Sequence, residues 1–383
     1  MNLRILNVND MLDLRSGGGT AERTFQMSRF LAIQGAVCTV LTIDSEHLDE
    51  LRIEALKPAN ALVLPSIWRR FNVPIWNWKS IRRAVEESDV IHLMGHWGVL
   101  NALTYVAIRR AGKPYVVCPA GALPLFGRSK VLKRFYNLVV GNAIIRNASG
   151  WIAVTKGEFP QFLEYGIPSS RVTVIPNGVS EDDFPVVDVA DFRFRHGLPD
   201  VPVILFMGRL NPIKGPDMLL QAFLQARHSF LKHHLVFVGP DGGLLASLRE
   251  MAEQAGIGEF VHFLGYLGGA DKSAAYRMSS LLVVPSRQEA MSIVAIEAGI
   301  CGVPVLLTDQ CGFGEIGSVD TRLEVSASME GLAEGLTTLL AEPEILESLA
   351  PAWSVFVNQK YSWTSLAPEY IKLYQNILVG LAH

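Results

Sequence analysis

An α/β chain of two doubly wound domains is what this sequence predicts, and three observations carry that expectation. Short runs of Val, Ile and Leu without polar alternation recur from end to end, as parallel strands buried on both faces require. Segments with helical spacing separate them, which is the rhythm of stacked βαβ units. At 383 residues the chain is too long for one ordinary core.

The elements follow in order. Strands are expected at LRILNVN (3–9), VCTVLTI (37–43), ALVL (61–64), VIHLM (90–94), YVVC (115–118), WIAV (151–154) and VTVIP (172–176). The polar, Pro/Gly-marked segment 177–200 reads as a linker. The rhythm restarts at VPVILFMG (201–208) and continues through HLVFVG (234–239), FVHFLG (260–265), LLVVP (281–285) and VPVLLT (303–308). A closing helix is expected over YSWTSLAPEYIKLYQNIL (361–378). The expected division is 1–178, joined by a C-terminal helix within 361–383, and 179–360. Doubly wound sheets take ligands beyond the carboxyl ends of their strands, where strand order reverses. Two of them facing each other would form a deep cleft, so polar residues just after strands carry most weight.

Composition narrows the function. Hydrophobic residues make up 49% and charged residues 19%, as in a globular protein. A formal charge of −3 gives no general attraction to nucleic acid. The four cysteines form no Cys-x-x-Cys pair and no zinc spacing, and read as buried hydrophobes in a reducing compartment. MNLRILNVND has no basic n-region leading into a long apolar stretch, so no leader is expected, and no apolar run reaches the roughly 18 residues of a membrane span. A cytoplasmic protein is expected, with contact at the inner face of the cytoplasmic membrane left open.

Several loops carry candidate chemistry. In FMGRLNPIKGPDMLLQAF (206–223) a strand ends at Met207-Gly208, the loop holds Arg209 and Lys214, and a helix starts at Gly215-Pro216. Two cations and a helix N-terminus suit a diphosphate; two solvated surface cations are the alternative. No G-x-x-x-x-G-K-[ST] occurs. In SRQEAMSIVAIEAGICGVPV, Glu289 falls in the loop after a strand and Glu297 in the second turn of a helix opening near Ser292. The amides of Met291, Ser292 and Ile293 would form a second anion site, and the carboxylates would accept hydroxyl groups. An N-terminal helix charge and a salt bridge are the plainer reading.

Gly17-Gly18-Gly19 allows close backbone approach or only a flexible turn. His96 lies just past strand VIHLM, whereas His92 lies inside it and reads as a core histidine. The stretch 66–83 mixes Trp68, Trp76 and Trp78 with Arg69, Arg70, Lys79, Arg82 and Arg83, and 128–146 repeats that basic-plus-apolar theme. Both fit a membrane interface, or a solvated face above a buried stripe.

Together these residues resemble glycosyltransferase family 4, the retaining nucleotide-sugar transferases of GT-B fold. The matching motifs are the GGG loop with AERTF, VIPNGV at 174–179, GRL…KG at 208–215, VGPDGG at 238–243, FLGYL at 263–267, the E-x7-E of Glu289 and Glu297, and YSW at 361–363. The resemblance implies that Arg209 and Lys214, in the loop opened by Gly208, grip the donor diphosphate with amides near Met291, Ser292 and Ile293. It gives Glu297 the ribose hydroxyls, Glu289 the hexose, the backbone of Tyr266 and Leu267 the base, and Gly18 and Gly19 the donor phosphates or acceptor. Where many relatives read His-x-His-Gly-x-Trp, this chain departs, with Met94 at the second histidine and a histidine at 96, so His96 is a candidate toward the donor sugar that does not match the family's motif position. Arg209, Lys214, Glu289 and His96 are therefore the expected catalytic set.

The implied reaction moves a hexose, from UDP-glucose or a similar UDP-hexose, to a sugar or lipid-linked saccharide in cell-surface polysaccharide synthesis. Segment 113–130 would lie on the acceptor side, and 66–83 would touch the membrane. No Asp-x-Asp motif is apparent, so neither metal nor cofactor is expected. A GT-B nucleotide-sugar epimerase and a non-catalytic sugar-nucleotide-binding protein remain as alternatives.

Overall fold

The computed structural model describes residues 2–44, 48–68, 73–74, 77–124 and 130–380. The chain divides into two compact units, Met1–Gly178 with Trp363–His383, and Val179–Ser362.

The first unit contains β1 (Arg4–Val8), β2 (Val37–Ile43), β3 (Asn60–Leu64), β4 (Ser66–Trp68), β5 (Val73–Pro74), β6 (Val90–Met94), β7 (Tyr115–Cys118), β8 (Gly150–Ala153) and β9 (Val172–Val174). Its main sheet has the order β3-β2-β1-β6-β7-β8-β9, and every pairing is parallel. The second unit contains β10 (Val203–Met207), β11 (His234–Val238), β12 (Val261–Gly265), β13 (Leu281–Val284), β14 (Val305–Thr308) and β15 (Glu324–Val325). Its order is β12-β11-β10-β13-β14-β15, again all parallel. The central strands are buried along their whole length, which explains why they read as unbroken apolar runs. Strand order reverses between β1 and β6 in one sheet and between β10 and β13 in the other. Each unit is thus a Rossmann-like doubly wound domain.

Each apolar run expected as a strand forms one. The additional strands are the antiparallel pair β4–β5 and the edge strand β15, each of two or three residues. Elements that short have no periodicity to announce them.

Segment 177–200 is more ordered than a linker. It carries a 3₁₀ turn at Glu181–Asp183 and a helix at Val189–Arg195, N-capped by Asp188. Phe184 and Phe192 are buried, Arg277 donates to Phe184 O (2.9 Å), and Ser273 donates to Pro185 O (2.7 Å). Polar composition hid two aromatic anchors that fold the segment onto the second unit.

The helix Trp363–Gly380 packs in the first unit. Buried Arg23 holds it by donating to Tyr370 Oη (2.5 Å), while also donating to Asn177 Oδ1 (2.8 Å) and Ile175 O (2.7 Å). His92 Nδ1 lies 2.7 Å from Tyr374 Oη, so this histidine is a core residue. Burial lowers its pKa to about 3. All four cysteines are free and buried, and burial pushes the Cys38, Cys301 and Cys311 thiols up to about 12. None is therefore a ready nucleophile.

Of the Trp/Arg stretch 66–83, Arg69, Arg70 and Trp76 lie outside the described residues. Within its helix Trp78–Glu86, Arg82 pairs with Glu86 and Arg83 with Glu87, each at 2.7 Å, and Arg110 covers the Trp78 ring. The described part thus has little uncompensated charge to offer a membrane. Among the described residues, no helix is long and apolar enough to cross one.

Candidate functional site

The carboxyl edge of the second sheet gathers most of the candidate residues, in the segments after β10, β12 and β13. The first of these runs from Gly208 to the helix Pro216–Ala226. Gly215 has φ +68°, and a Cβ there would lie 2.1 Å from Pro285 O, so only glycine lets this loop touch the end of β13. Arg287 locks the two loops together: its N–H donates to Ile213 O (2.8 Å), and its guanidinium forks onto Asp217 (2.7 and 2.9 Å). Asp217 also lies in the first turn of its helix, where negative charge is favoured.

Within this frame Lys214 Nζ meets Glu289 Oε1 at 2.5 Å, and Ser286 Oγ donates to the same oxygen at 2.5 Å. The Glu289 side chain is only 7% exposed and that of Lys214 35%. A nearly buried carboxylate needs such a partner, so the pair has a structural role whatever else it does. Arg209 differs. It is exposed, and its guanidinium has no acidic partner among the described residues.

The helix Ile293–Ile300 begins where expected, with Ser292 as its N-terminal cap. The expectation of three free amides needs correction at Ser292, whose N–H is committed to Cys311 O (3.1 Å). The loop after β14 supplies that carbonyl, and Gln310 O takes the Glu289 N–H (2.9 Å). What Ser292 leaves unused is its hydroxyl, which is fully buried without a partner. Met291 is buried beside it, and Ile293 is the first helical residue.

Glu297, in the second turn, is buried, and both of its oxygens have partners. Lys272 Nζ donates to Oε1 (2.7 Å) and Tyr276 Oη to Oε2 (2.6 Å). Burial, reinforced by the carboxylate, raises the Tyr276 phenol well above its ordinary range, so it stays a donor. A carboxylate has about four acceptor positions, so these two bonds leave room for further hydroxyls. Sequence reading missed Lys272 and Tyr276. Their i,i+4 spacing on Gly269–Arg277 puts them on one helix face, and that was the signal available. Ser286 was also missed, although it directly follows LLVVP. Tyr266 and Leu267 follow β12 on the same carboxyl edge, with Tyr266 45% exposed.

Gly18, Gly19 and His96 belong to the first unit. Gly18, at φ 55° and ψ −139°, breaks Leu14–Ile33 into a short turn and a long helix, and both glycines are exposed. His96 is buried at the carboxyl end of β6, with Nε2 at 2.8 Å from Asn137 Oδ1 and Nδ1 unpartnered. Trp97, Tyr136 and Tyr165 enclose its ring edge-on at 4.5–5.7 Å. Burial lowers its pKa to about 4, so the imidazole is neutral at neutral pH. After β1, Asp10 is half-buried with its Oδ1 buried and unpartnered, and Gly98 leaves room for its carboxyl: a Cβ there would lie 2.3 Å from Oδ2. Burial raises this carboxyl to about 7. Sequence reading passed over Asp10.

Among the described residues, no group of three or more His, Cys, Asp or Glu is placed to hold a metal ion.

The comparisons agree with this architecture. The profile described as Glycosyltransferase Family 4 matches residues 17–183, and that described as Glycosyl transferases group 1 matches residues 188–352. A D-inositol 3-phosphate glycosyltransferase of Catenulispora acidiphila is 32% identical over 257 residues, covering 62% of this chain and 60% of that protein. Another, from Frankia alni, is 29% identical over 318 residues, covering 76% and 74%. The chain thus spans about 60% of the length of the first of these curated relatives. HepE of Anabaena, solved in complex with UDP and glucose, superposes with a TM-score of 0.80 at 18% identity, over 98% of this chain and all of that one. At that identity the likeness concerns the fold alone. Matched profiles over both units and two parallel sheets of the same kind together show that the chain belongs to the family 4 glycosyltransferases, of GT-B fold.

Proposed function

We propose that this chain moves a hexose from a nucleoside-diphosphate sugar to an acceptor hydroxyl, with retention of the anomeric configuration. The observation that carries this reading is the loop Gly208–Gly215, which presents an exposed Arg209, without an acidic partner among the described residues, and the Lys214 ammonium at the switch point of a doubly wound sheet, beside a helix N-terminus. Cations there neutralise a diphosphate as it departs.

Neither glutamate is arranged as a nucleophile. Glu289 is held by Lys214 and Ser286, and Glu297 by Lys272 and Tyr276, as fits fixed acceptors for the hexose and ribose hydroxyls. A retaining hydrolase would need two carboxylates about 5 Å apart across the scissile bond. Here catalysis would rest on positioning and on leaving-group charge, with the departing phosphate oxygen taking the acceptor proton. We expect no metal requirement, and chelator should leave the rate unchanged. His96, neutral and buried, would serve toward the sugar as a hydrogen-bonding group and not as a charge.

UDP-hexose, UDP-glucose first, is the favoured donor; HepE, solved with UDP and glucose, supports that choice through shared fold only. For the acceptor we favour a sugar or lipid-linked saccharide of cell-surface polysaccharide synthesis. A second reading, an inositol phosphate, is favoured by the names of the relatives above.

A thermal-shift series over UDP-, GDP- and ADP-sugars tests the donor, since binding stabilises the folded state by mass action. Product anomers read by NMR then test retention. Stabilisation by none of these donors would overturn the proposal. Conversion of the donor alone into an epimer would replace transfer with epimerisation, and donor binding without any turnover would leave a binding protein.

A further inference from the structure

One helical rod of the first unit turns an apolar face to solvent. Lys130–Tyr136, Asn137–Gly141 and Asn142–Arg146 run on without a break, with a π-turn in the middle. Its inner side carries Tyr136 and Asn137 against His96, then buried Gly141, Ile144 and Ile145. Its outer side should be polar. Instead Val131 (78% exposed), Leu132 (61%), Phe135 (62%), Leu138 (80%) and Val139 (63%) cluster there within residues 131–139. Single exposed hydrophobes need no explanation, but five on one face of one helix are a surface waiting for a partner.

Charge identifies that partner. Lys130 and Arg134 are exposed on the same rod, and Lys133 lies over the Trp97 ring. No acidic residue occurs between Asp89 and Glu158. We propose that the outer face of Lys130–Arg146 docks on a bilayer surface containing anionic lipid, with Phe135 and its aliphatic neighbours in the interface and Lys130 and Arg134 at the headgroups. A second copy of the chain fits less well. A two-fold contact would set the same uncompensated cations against one another. The inference does not depend on hexosyl transfer, and of the two basic and apolar stretches it selects 128–146 over 66–83, whose Arg82 and Arg83 already pair with glutamates.

The full chain should sediment with vesicles of equimolar phosphatidylcholine and phosphatidylglycerol at least about tenfold more strongly than with phosphatidylcholine alone, and high salt should reduce the difference. The combined Leu132→Ser, Phe135→Ser, Leu138→Ser variant should lose about tenfold or more of that binding. Lys130→Glu with Arg134→Glu should abolish the preference for the anionic vesicles. Both variants should keep their thermal transition and their stabilisation by a nucleotide sugar, since none of these side chains is buried. If the serine variant does not fold, the charge-reversal variant decides alone. Absence of wild-type binding to anionic vesicles, or binding indifferent to the charge reversal, overturns the proposal. A wild-type dimer in light scattering that the serine variant converts to monomer would assign the face to a second copy.

Discussion

The two switch points of this molecule share a topology and differ in chemistry. Between β10 and β13, loops pair Lys214 with Glu289 and leave Arg209 exposed on the same edge. Between β1 and β6, equivalent loops place Asp10 against Gly98 and His96 inside an aromatic enclosure, with no ion pair to either among the described residues. The first keeps charge and neutralises it by pairing; the second removes charge through burial, since Asp10 binds its proton up to about pH 7 and His96 sheds its own above about pH 4. Strand order therefore decides where a ligand can approach, and the loops decide whether it meets ions or neutral hydrogen-bonding groups.

Breaking the charged side should give the largest effects. Lys214→Ala should lower transfer about a hundredfold and also destabilise the second unit by about 1–3 kcal/mol, because buried Glu289 loses its partner. Adding Glu289→Gln should return most of that stability in urea unfolding while activity stays low. Equal stability of Lys214→Ala and wild type would show that the pair is not structural. Arg209→Ala should lower transfer about ten- to a hundredfold with no stability change, since the side chain is exposed and has no acidic partner among the described residues. Near wild-type rates would remove Arg209 from the diphosphate site.

Tyr276→Phe tests the neighbouring carboxylate. Loss of the donor to Glu297 Oε2 should cost about 1–2 kcal/mol in unfolding and raise the donor KM more than it lowers kcat.

The neutral side should respond to pH. Asp10 has a raised folded pKa, so its contribution is complete below about pH 4 and is lost as pH rises through about 7. His92 and His96 have lowered ones, so theirs are complete above about pH 6.5 and are lost as pH falls through about 3 and 4. The groups oppose each other between roughly pH 4 and 6.5. Asp10→Asn should remove the downward contribution and steepen the rise of stability with pH by up to about 1.4 kcal/mol per unit in that window. Denaturant melts at both ends of the window measure this, and an unchanged slope would mean that Asp10 ionises freely.

Much of the fold was legible because buried parallel strands need unbroken apolar runs, and LLVVP or VIHLM can hardly be anything else. The loops were legible in outline. Arg209, Lys214 and Glu289 directly follow such runs, and parallel pairing puts all strand ends of one kind on one edge. Segment 177–200 misled because its composition is polar while Phe184 and Phe192 do the packing. The partners of Glu297 misled because Lys272 and Tyr276 come from a helix 25 and 21 residues away, and their shared helix face does not point them at it.

By itself the sequence determined strand positions, strand order class and the residue types at the sheet edges, all of which follow from local periodicity and short spacing. Only the tertiary structure decided what each polar group spends its hydrogen bonds on. It committed the Ser292 amide to Cys311, paired Lys214 with Glu289, left Arg209 exposed, and buried Asp10 Oδ1 and His96 away from water. Those outcomes depend on desolvation and on contacts between distant segments, and neither is a property of any short stretch of chain.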